Sequence, residues 1–184
     1  MKIIKTPLPG LVIIEPDIFE DKRGYFFESY QEKRYLDSGI NAQFIQDNES
    51  KSMRGVIRGL HYQLAPYSQA KLVRVIQGTV FDVAVDLRKN SPTFGQWFGL
   101  ELNSNKKKQL LVPRGFAHGF SVLSETAIFT YKCDNIYNHE TERAINAFDP
   151  KLGIDWKLDK SDQVISEKDK LAPMFDSAEM NFIF

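Results

Sequence analysis

Short runs of β-branched and aromatic residues, each closed by Gly, Pro, Asn or Asp, recur along almost the whole chain. Residues 12–15, 24–30, 43–46, 71–76, 80–87, 97–102, 108–112 and 127–132 read as strands on this pattern. Helical periodicity is scarce. Residues 32–38 end at Gly39, as a glycine-capped helix does, and a second short helix fits residues 167–171 ahead of Pro173. Gln77-Gly78-Thr79 reads as a tight hairpin turn. With no internal repeat and no linker, the pattern predicts one all-β domain over residues 1–184, built as a sandwich, barrel or antiparallel jelly roll.

The length of 184 residues suits that reading, since a chain of this size buries roughly 70% of its unfolded surface. Twenty-four basic residues balance 24 acidic ones, which removes any global electrostatic case for a nucleic acid polymer or an anionic membrane. A local positive pocket for phosphate is still compatible with neutrality. The single cysteine, Cys133, permits neither an intramolecular disulfide nor a cysteine zinc site, and its neighbours suggest a buried strand thiol. No apolar run approaches the ~18 residues of a membrane span, and residues 1–5 lack a signal-peptide core, so a cytoplasmic location is expected.

Residues 80–87 carry more information than the other strands. Phe81, Val83, Val85 and Leu87 fall on one face, and Val80, Asp82, Ala84 and Asp86 on the other. Either that second face lines a cavity that supplies partners for two carboxylates, or it is solvated at a sheet edge.

The chemistry concentrates in two glycine-bearing islands. In residues 48–63, Arg58 and His61 lie three apart, on opposite faces of a regular strand; a bulge at Gly59 would turn both towards one pocket. Residues 112–120 carry His118 in a similar apolar setting. The third histidine, His139, lies in a polar loop and reads as a surface residue. Three scattered histidines without a clustered ligand set argue against a metal centre.

Metal-free proton abstraction fits these residues better. An imidazole becomes a committed base when a carboxylate bonds its far nitrogen, and Asp169 can supply that bond if the C-terminal segment folds back. The anion left behind needs donors, for which Lys71 and His118 are available. Return of the proton from the opposite side needs a separate acid, and Tyr131 is the aptest hydroxyl on an expected strand. Arg23, ahead of an aromatic run that ends in Glu28 and just after Phe19, has the makings of phosphate and base recognition, although an Arg-Gly turn before a strand is often structural.

Taken in order, these motifs resemble the dTDP-4-dehydrorhamnose 3,5-epimerase family. The resemblance is carried by Arg23-Gly-Tyr-Phe-Phe-Glu28 and by Gln46-Asp-Asn-Glu-Ser-Lys-Ser-Met-Arg-Gly-Val-Ile-Arg-Gly-Leu-His61-Tyr-Gln63. Lys71-Leu-Val-Arg-Val75, residues 78–88, Pro113-Arg-Gly-Phe-Ala-His-Gly-Phe120, Tyr131-Lys132 and Ser166-Glu-Lys-Asp169 extend it over nearly the whole chain. It implies a cupin-like antiparallel jelly roll with a few short helices, homodimeric, working on a dTDP-sugar with no metal or organic cofactor. His61 and Asp169 then correspond to the general-base dyad, Tyr131 to the acid, and Lys71 to the cation beside the developing enolate. His118 and Asp82 look like a second histidine–aspartate pair in the sugar pocket. Arg23, Arg58 and Lys168 correspond to diphosphate contacts, and Phe26, Glu28, Gln46 and Asn48 fall in segments lining the nucleotide site. Phe19 and Tyr137 match aromatic positions flanking the thymine, some contributed across the dimer.

One departure stands out. Residues 142–150 keep the terminal Asp149-Pro150 but carry Ala147-Phe148 where the family usually has a tryptophan followed by aspartate. The competing expectations are a monofunctional 3- or 5-epimerase of the same family, a non-catalytic sugar-nucleotide binder, and a metal-dependent isomerase or oxygenase.

Overall fold

The computed structural model describes every residue from Met1 to Phe184. In chain order the strands are β1 (Lys2–Lys5), β2 (Val12–Glu15), β3 (Phe19–Asp21), β4 (Gly24–Phe26), β5 (Gln46–Met53), β6 (Val56–Gln63) and β7 (Lys71–Gln77). They continue as β8 (Thr79–Asp86), β9 (Trp97–Asn103), β10 (Gln109–Val112), β11 (Phe116–Val122), β12 (Thr126–Cys133), β13 (Glu142–Ala144) and β14 (Val164–Ile165). Helices α1 (Glu32–Asp37) and α2 (Glu167–Lys170) are single turns or little more.

Two sheets face each other. The first has the order β1-β2-β10-β7-β12-β5, the second β13-β6-β11-β8-β9, with β14 added parallel to β6. From β5 to β12 the chain crosses from one sheet to the other at every connection except β8 to β9, which pair as neighbours. The result is an antiparallel jelly roll.

That alternation corrects one expectation. Gly78 does turn the chain sharply, at φ 84°, but β7 and β8 pair in different sheets, so the turn is a crossover and not a hairpin. A Cβ at Gly78 would lie 2.1 Å from the Thr126 carbonyl oxygen, so the crossover admits only glycine.

Three apolar clusters hold the layers together. The inner one lies between the sheets and includes Val73, Val75, Val80, Ala84, Leu110, Phe120 and Phe129. The outer face of the second sheet, with Ile57, Leu60, Val83 and Val85, is covered by Ile145, Trp156, Phe175 and Phe182 of the C-terminal segment. The outer face of the first sheet, with Ile14, Leu72 and Leu111, is covered by Tyr35, Ile40 and Ala42 around α1. Helix α1 starts where the Gln31 side chain accepts the Arg34 N–H and stops before Gly39 at φ 85°, as its sequence predicts.

Strand β8 is buried on both faces, between β11 and β9, which overturns the reading of a solvated edge. Both of its carboxylates have partners. Asp86 accepts from Arg88 at 2.8 Å, Ser91 at 2.6 Å and Thr93 at 2.7 Å. Burial alone would raise its pKa, and these bonds hold it below the usual carboxylate range.

The expected strand at 24–30 shortens to Gly24–Phe26, and Glu28 beyond it pairs with Arg34 at 2.9 Å. The expected strand at 43–46 is absent apart from Gln46; the strand is instead the polar run Gln46–Met53. Phe129 is a point where the inner core and the site meet, stacked on Phe120 at 4.3 Å and on the His118 ring at 6.0 Å. Phe129→Ala is expected to lower stability by about 3–5 kcal/mol, read from guanidinium unfolding. An unchanged midpoint would contradict the packing described.

Candidate active site

The site begins with a bulge. His61 pairs with His118 and Arg58 with Phe120, so Gly59 and Leu60 together face the single residue Gly119. Gly59 sits at φ 118°, and a Cβ there would lie 2.6 Å from the Gly119 Cα. A Cβ at Gly119 would lie 2.6 Å from the Arg58 carbonyl oxygen. Both positions therefore require glycine. The extra residue reverses the in–out alternation of β6. Val56 packs on the inner core before it, while Ile57, Leu60 and Tyr62 belong to the outer cluster. Arg58 and His61, three apart, thereby share the inner face.

Asp169 reaches His61 from 108 residues away, with His61 Nε2 2.7 Å from Asp169 Oδ1. Pairing of β14 with Val56–Ile57 brings the C-terminal segment alongside β6. Ser166 then caps α2 by accepting the Asp169 N–H at 3.2 Å. The carboxylate is nearly buried, at 6% exposure against 34% for the imidazole. Burial would raise the Asp169 pKa, but hydrogen bonds from His61, Ser166 and the Gly59 backbone pull it below the ordinary range. An ionised carboxylate only accepts, so Nε2 carries the proton and the Nδ1 lone pair is free.

His118, beside His61 on the next strand, makes a second pair. Its Nε2 lies 3.0 Å from both oxygens of Asp82, which is fully buried. Here burial prevails and pushes the Asp82 carboxyl up, against the pull of His118 and Lys71.

The first sheet supplies the opposite wall. Tyr131 packs against the inner core, next to Phe129. Lys71 pairs in register with Cys133, and its Nζ lies 5.7 Å from the centroid of the Tyr131 ring. Burial raises the Tyr131 hydroxyl and lowers the Lys71 ammonium relative to their ordinary values. Cys133 is a buried strand thiol, pushed up to about 11 by desolvation. Asn48 stands in register with Tyr131 and Gln46 with Cys133. Gln46 Nε2 donates to Asn48 Oδ1 at 3.0 Å, and Asn48 Nδ2 donates to Cys133 Sγ at 3.7 Å.

Two residues join the constellation without having been anticipated. Glu142 Oε2 accepts from Lys168 Nζ at 2.7 Å and from the Tyr137 hydroxyl at 3.1 Å, tying both to the rim. Burial would raise its pKa, but the bond and charge of Lys168, the Tyr137 bond and the His61 charge together pull it below the ordinary range. Ser52 Oγ accepts from Arg58 Nε at 3.0 Å, leaving the rest of the guanidinium fork free. Nothing in the three-residue strand of Glu142 marks it in sequence, whereas the Ser166–Asp169 spacing is a recognisable capping signature.

Four expected residues lie apart from this group. Phe19, Arg23 and Phe26 are on the β3–β4 hairpin, which pairs with no other strand. Arg23 is ion-paired to Asp21, and Phe19 and Phe26 face each other across the hairpin at 64% and 69% exposure. Glu28 is held by Arg34. No hydrogen bond or ion pair within one chain joins these four to His61 or Tyr131. His139 is exposed, in a short turn. Ala147 is buried in the outer cluster, where its carbonyl accepts from Trp156 Nε1 at 2.7 Å; the sequence departure thus lies across the second sheet from His61. No three His, Cys, Asp or Glu side chains converge, and no helix is long and apolar enough to cross a membrane.

Comparison with known proteins agrees with this geometry. Residues 5–177 match the family model described as dTDP-4-dehydrorhamnose 3,5-epimerase. A dTDP-4-dehydrorhamnose 3,5-epimerase of Shigella flexneri is 49% identical over 180 residues, 97% of this chain and 98% of that one. The crystal structure of the enzyme of that name from Elizabethkingia anophelis superposes with a TM-score of 0.92 at 56% identity, covering 96% of this chain and 97% of the other. A dTDP-6-deoxy-D-glucose-3,5-epimerase from Legionella pneumophila, in complex with dTDP-4-keto-L-rhamnose, gives 0.91 at 52% identity over 96% and 93%.

The lowered pKa of Asp169 sets a sign for acid unfolding. Its contribution is complete above the unfolded value near 3.9 and is lost as pH falls through the folded one. Asp169→Asn is therefore expected to lower the urea midpoint at neutral pH, with the gap to wild type closing below about pH 4. A gap that stays constant down that range would contradict the assignment.

Proposed function

We infer the reaction from the family to which the chain belongs, the dTDP-4-dehydrorhamnose 3,5-epimerases. It converts dTDP-4-dehydro-6-deoxy-D-glucose to dTDP-4-dehydro-L-rhamnose, in the dTDP-rhamnose pathway. C3 and C5 both flank the C4 ketone, so loss of a proton from either carbon gives an enolate. Removal on one face and return on the other inverts the centre, and no oxidant or reductant enters the balance.

In this reading His61 Nδ1 takes the proton, and Asp169 stabilises the imidazolium that forms. Lys71, which has no ion-pair partner, and His118, oriented by Asp82, face the developing oxyanion. Tyr131 returns the proton from the opposite wall. The phenol is protonated at neutral pH, as a proton donor must be. One base and one acid serve both carbons in turn if the ring is repositioned. The single observation that carries the reading is that the His61–Asp169 pair and Tyr131 stand on different sheets, with Glu142 near enough to bear electrostatically on both His61 and Tyr131.

Arg58, Lys168 and Arg23 are assigned to the diphosphate, and Gln46, Asn48, Glu28 and Phe26 to the nucleotide, with Phe19 and Tyr137 flanking the thymine. A homodimer belongs to the same reading: the hairpin of one copy closes over the nucleotide in the pocket of the other. Its support is the exposure of Phe19 and Phe26 together with their separation from the rest of the site. One domain over residues 1–184, working in the cytoplasm without a metal or organic cofactor, would supply activated L-rhamnose for cell-surface polysaccharide such as O-antigen. A proton transfer beside a ketone that His61 and Tyr131 can complete themselves supports the cofactor-free part.

Incubation with dTDP-4-keto-6-deoxyglucose in D2O, followed by NMR, tests the assignment. Wild type is expected to place deuterium at both C3 and C5, and His61→Ala to slow both exchanges by about 10²–10⁴-fold. Retained exchange at both carbons in His61→Ala would refute the base. Label at one carbon in wild type would mark a single-centre epimerase.

A further inference from the structure

We propose that Lys107 is a positioning residue for the nucleotide site, holding the β3–β4 hairpin by its Tyr25 ring so that the Phe19–Phe26 face is presented for stacking on a nucleobase. The inference rests on the reading of that hairpin as a nucleotide-binding element.

The hairpin has two faces. Phe19 and Phe26 are directly paired on one, and Glu20 and Tyr25 on the other. It hydrogen-bonds to neither sheet, and none of its residues enters an apolar cluster. A two-stranded ribbon of this kind is marginal on its own. Two cations of the body reach rings in the hairpin and just after it. Lys107 Nζ lies 3.9 Å from the centroid of Tyr25, and the Arg74 guanidinium 5.4 Å from that of Phe27, with the two rings 6.1 Å apart. Tyr25 and Phe27 alternate onto the same face, so both cations act on the side away from Phe19 and Phe26.

The backbone of Lys107 points the same way. It adopts φ 54°, a left-handed conformation that a lysine rarely takes and that glycine takes freely. The loop between β9 and β10 is fixed on both sides of it. Asn103 Oδ1 accepts the N–H groups of Asn105 at 3.1 Å and Lys106 at 2.9 Å, and Lys108 Nζ is 2.6 Å from Glu15. A residue in unfavourable backbone geometry, on a rigid turn, with its ammonium over a ring of the hairpin itself, is there for its side chain.

Lys107→Gly separates the two roles, because it relaxes the backbone while removing the cation. The expected result is a KM for the dTDP-sugar raised about two- to fivefold, with kcat unchanged and the thermal midpoint equal to or above that of wild type. Lys107→Arg, which keeps a cation that stacks on an aromatic face, is expected to restore KM. Phe26→Ala, measured alongside, reports on the underlying reading. If Phe26→Ala raises KM and Lys107→Gly does not, the role of Lys107 is overturned and the nucleotide reading stands. If Phe26→Ala leaves KM unchanged, the nucleotide reading of the hairpin fails, and the proposal with it. A fall in both kcat and thermal midpoint in Lys107→Gly would make the residue merely structural and overturn the proposal.

Discussion

Two facing glycines decide whether this molecule has a site at all. Gly59 and Gly119 let β6 and β11 approach so closely that one extra residue fits on β6, and that residue reverses the alternation of everything after it. Without the bulge, Arg58 and His61 would lie on opposite faces of the second sheet, one between the sheets and the other under the C-terminal segment. With it, a guanidinium and an imidazole enter the same inter-sheet space. The rest of the constellation is built around that placement. β14 runs along β6 to deliver Asp169, β13 pairs along its other end to deliver Glu142, and β12 and β7 bring Tyr131 and Lys71 across.

Burial then differentiates groups that are chemically alike. Asp169 and Asp82 are both aspartates bonded to a histidine Nε2, yet their carboxyls shift in opposite directions. Asp169 gathers several donors and stays ionised, as the proposed partner of a positive imidazolium would need. Asp82 lies on a fully buried strand with His118 as its only hydrogen-bond partner, and desolvation prevails. The same physics raises the Tyr131 hydroxyl and lowers the Lys71 ammonium relative to their ordinary values. Pairs of titratable groups pushed apart by their surroundings are what acid–base chemistry at neutral pH requires.

The parts of this fold that bury apolar side chains were legible in the sequence; the parts that serve a ligand were less so. β7, β8, β9, β10 and β12 carry the β-branched and aromatic residues that pattern reading detects, and they form close to where they are expected. β5 escaped because its inward residues, Gln46, Asn48, Ser50 and Ser52, are polar. A strand that lines a polar space loses the alternation that would betray it. The hairpin turn read at Gly78 failed for a different reason: a glycine at positive φ signals a sharp turn but not which sheet the next strand joins. The pairing of His61 with Asp169 and of His118 with Asp82 was recoverable from residue chemistry and family resemblance together, and the bulge was foreseen from Gly59. Glu142 was not, because its role arises only when Tyr137 and Lys168 meet it in space.

Which nitrogen of His61 is free decides whether the ring can act as a base. An ionised Asp169 that can only accept fixes the proton on Nε2 and leaves the lone pair on Nδ1. Nitrogen-15 NMR of the histidine rings at neutral pH reads this directly. The account predicts that His61 shows a protonated Nε2 and an unprotonated, acceptor-type Nδ1. A His61 ring protonated on Nδ1, with Nε2 bearing the lone pair, would contradict it.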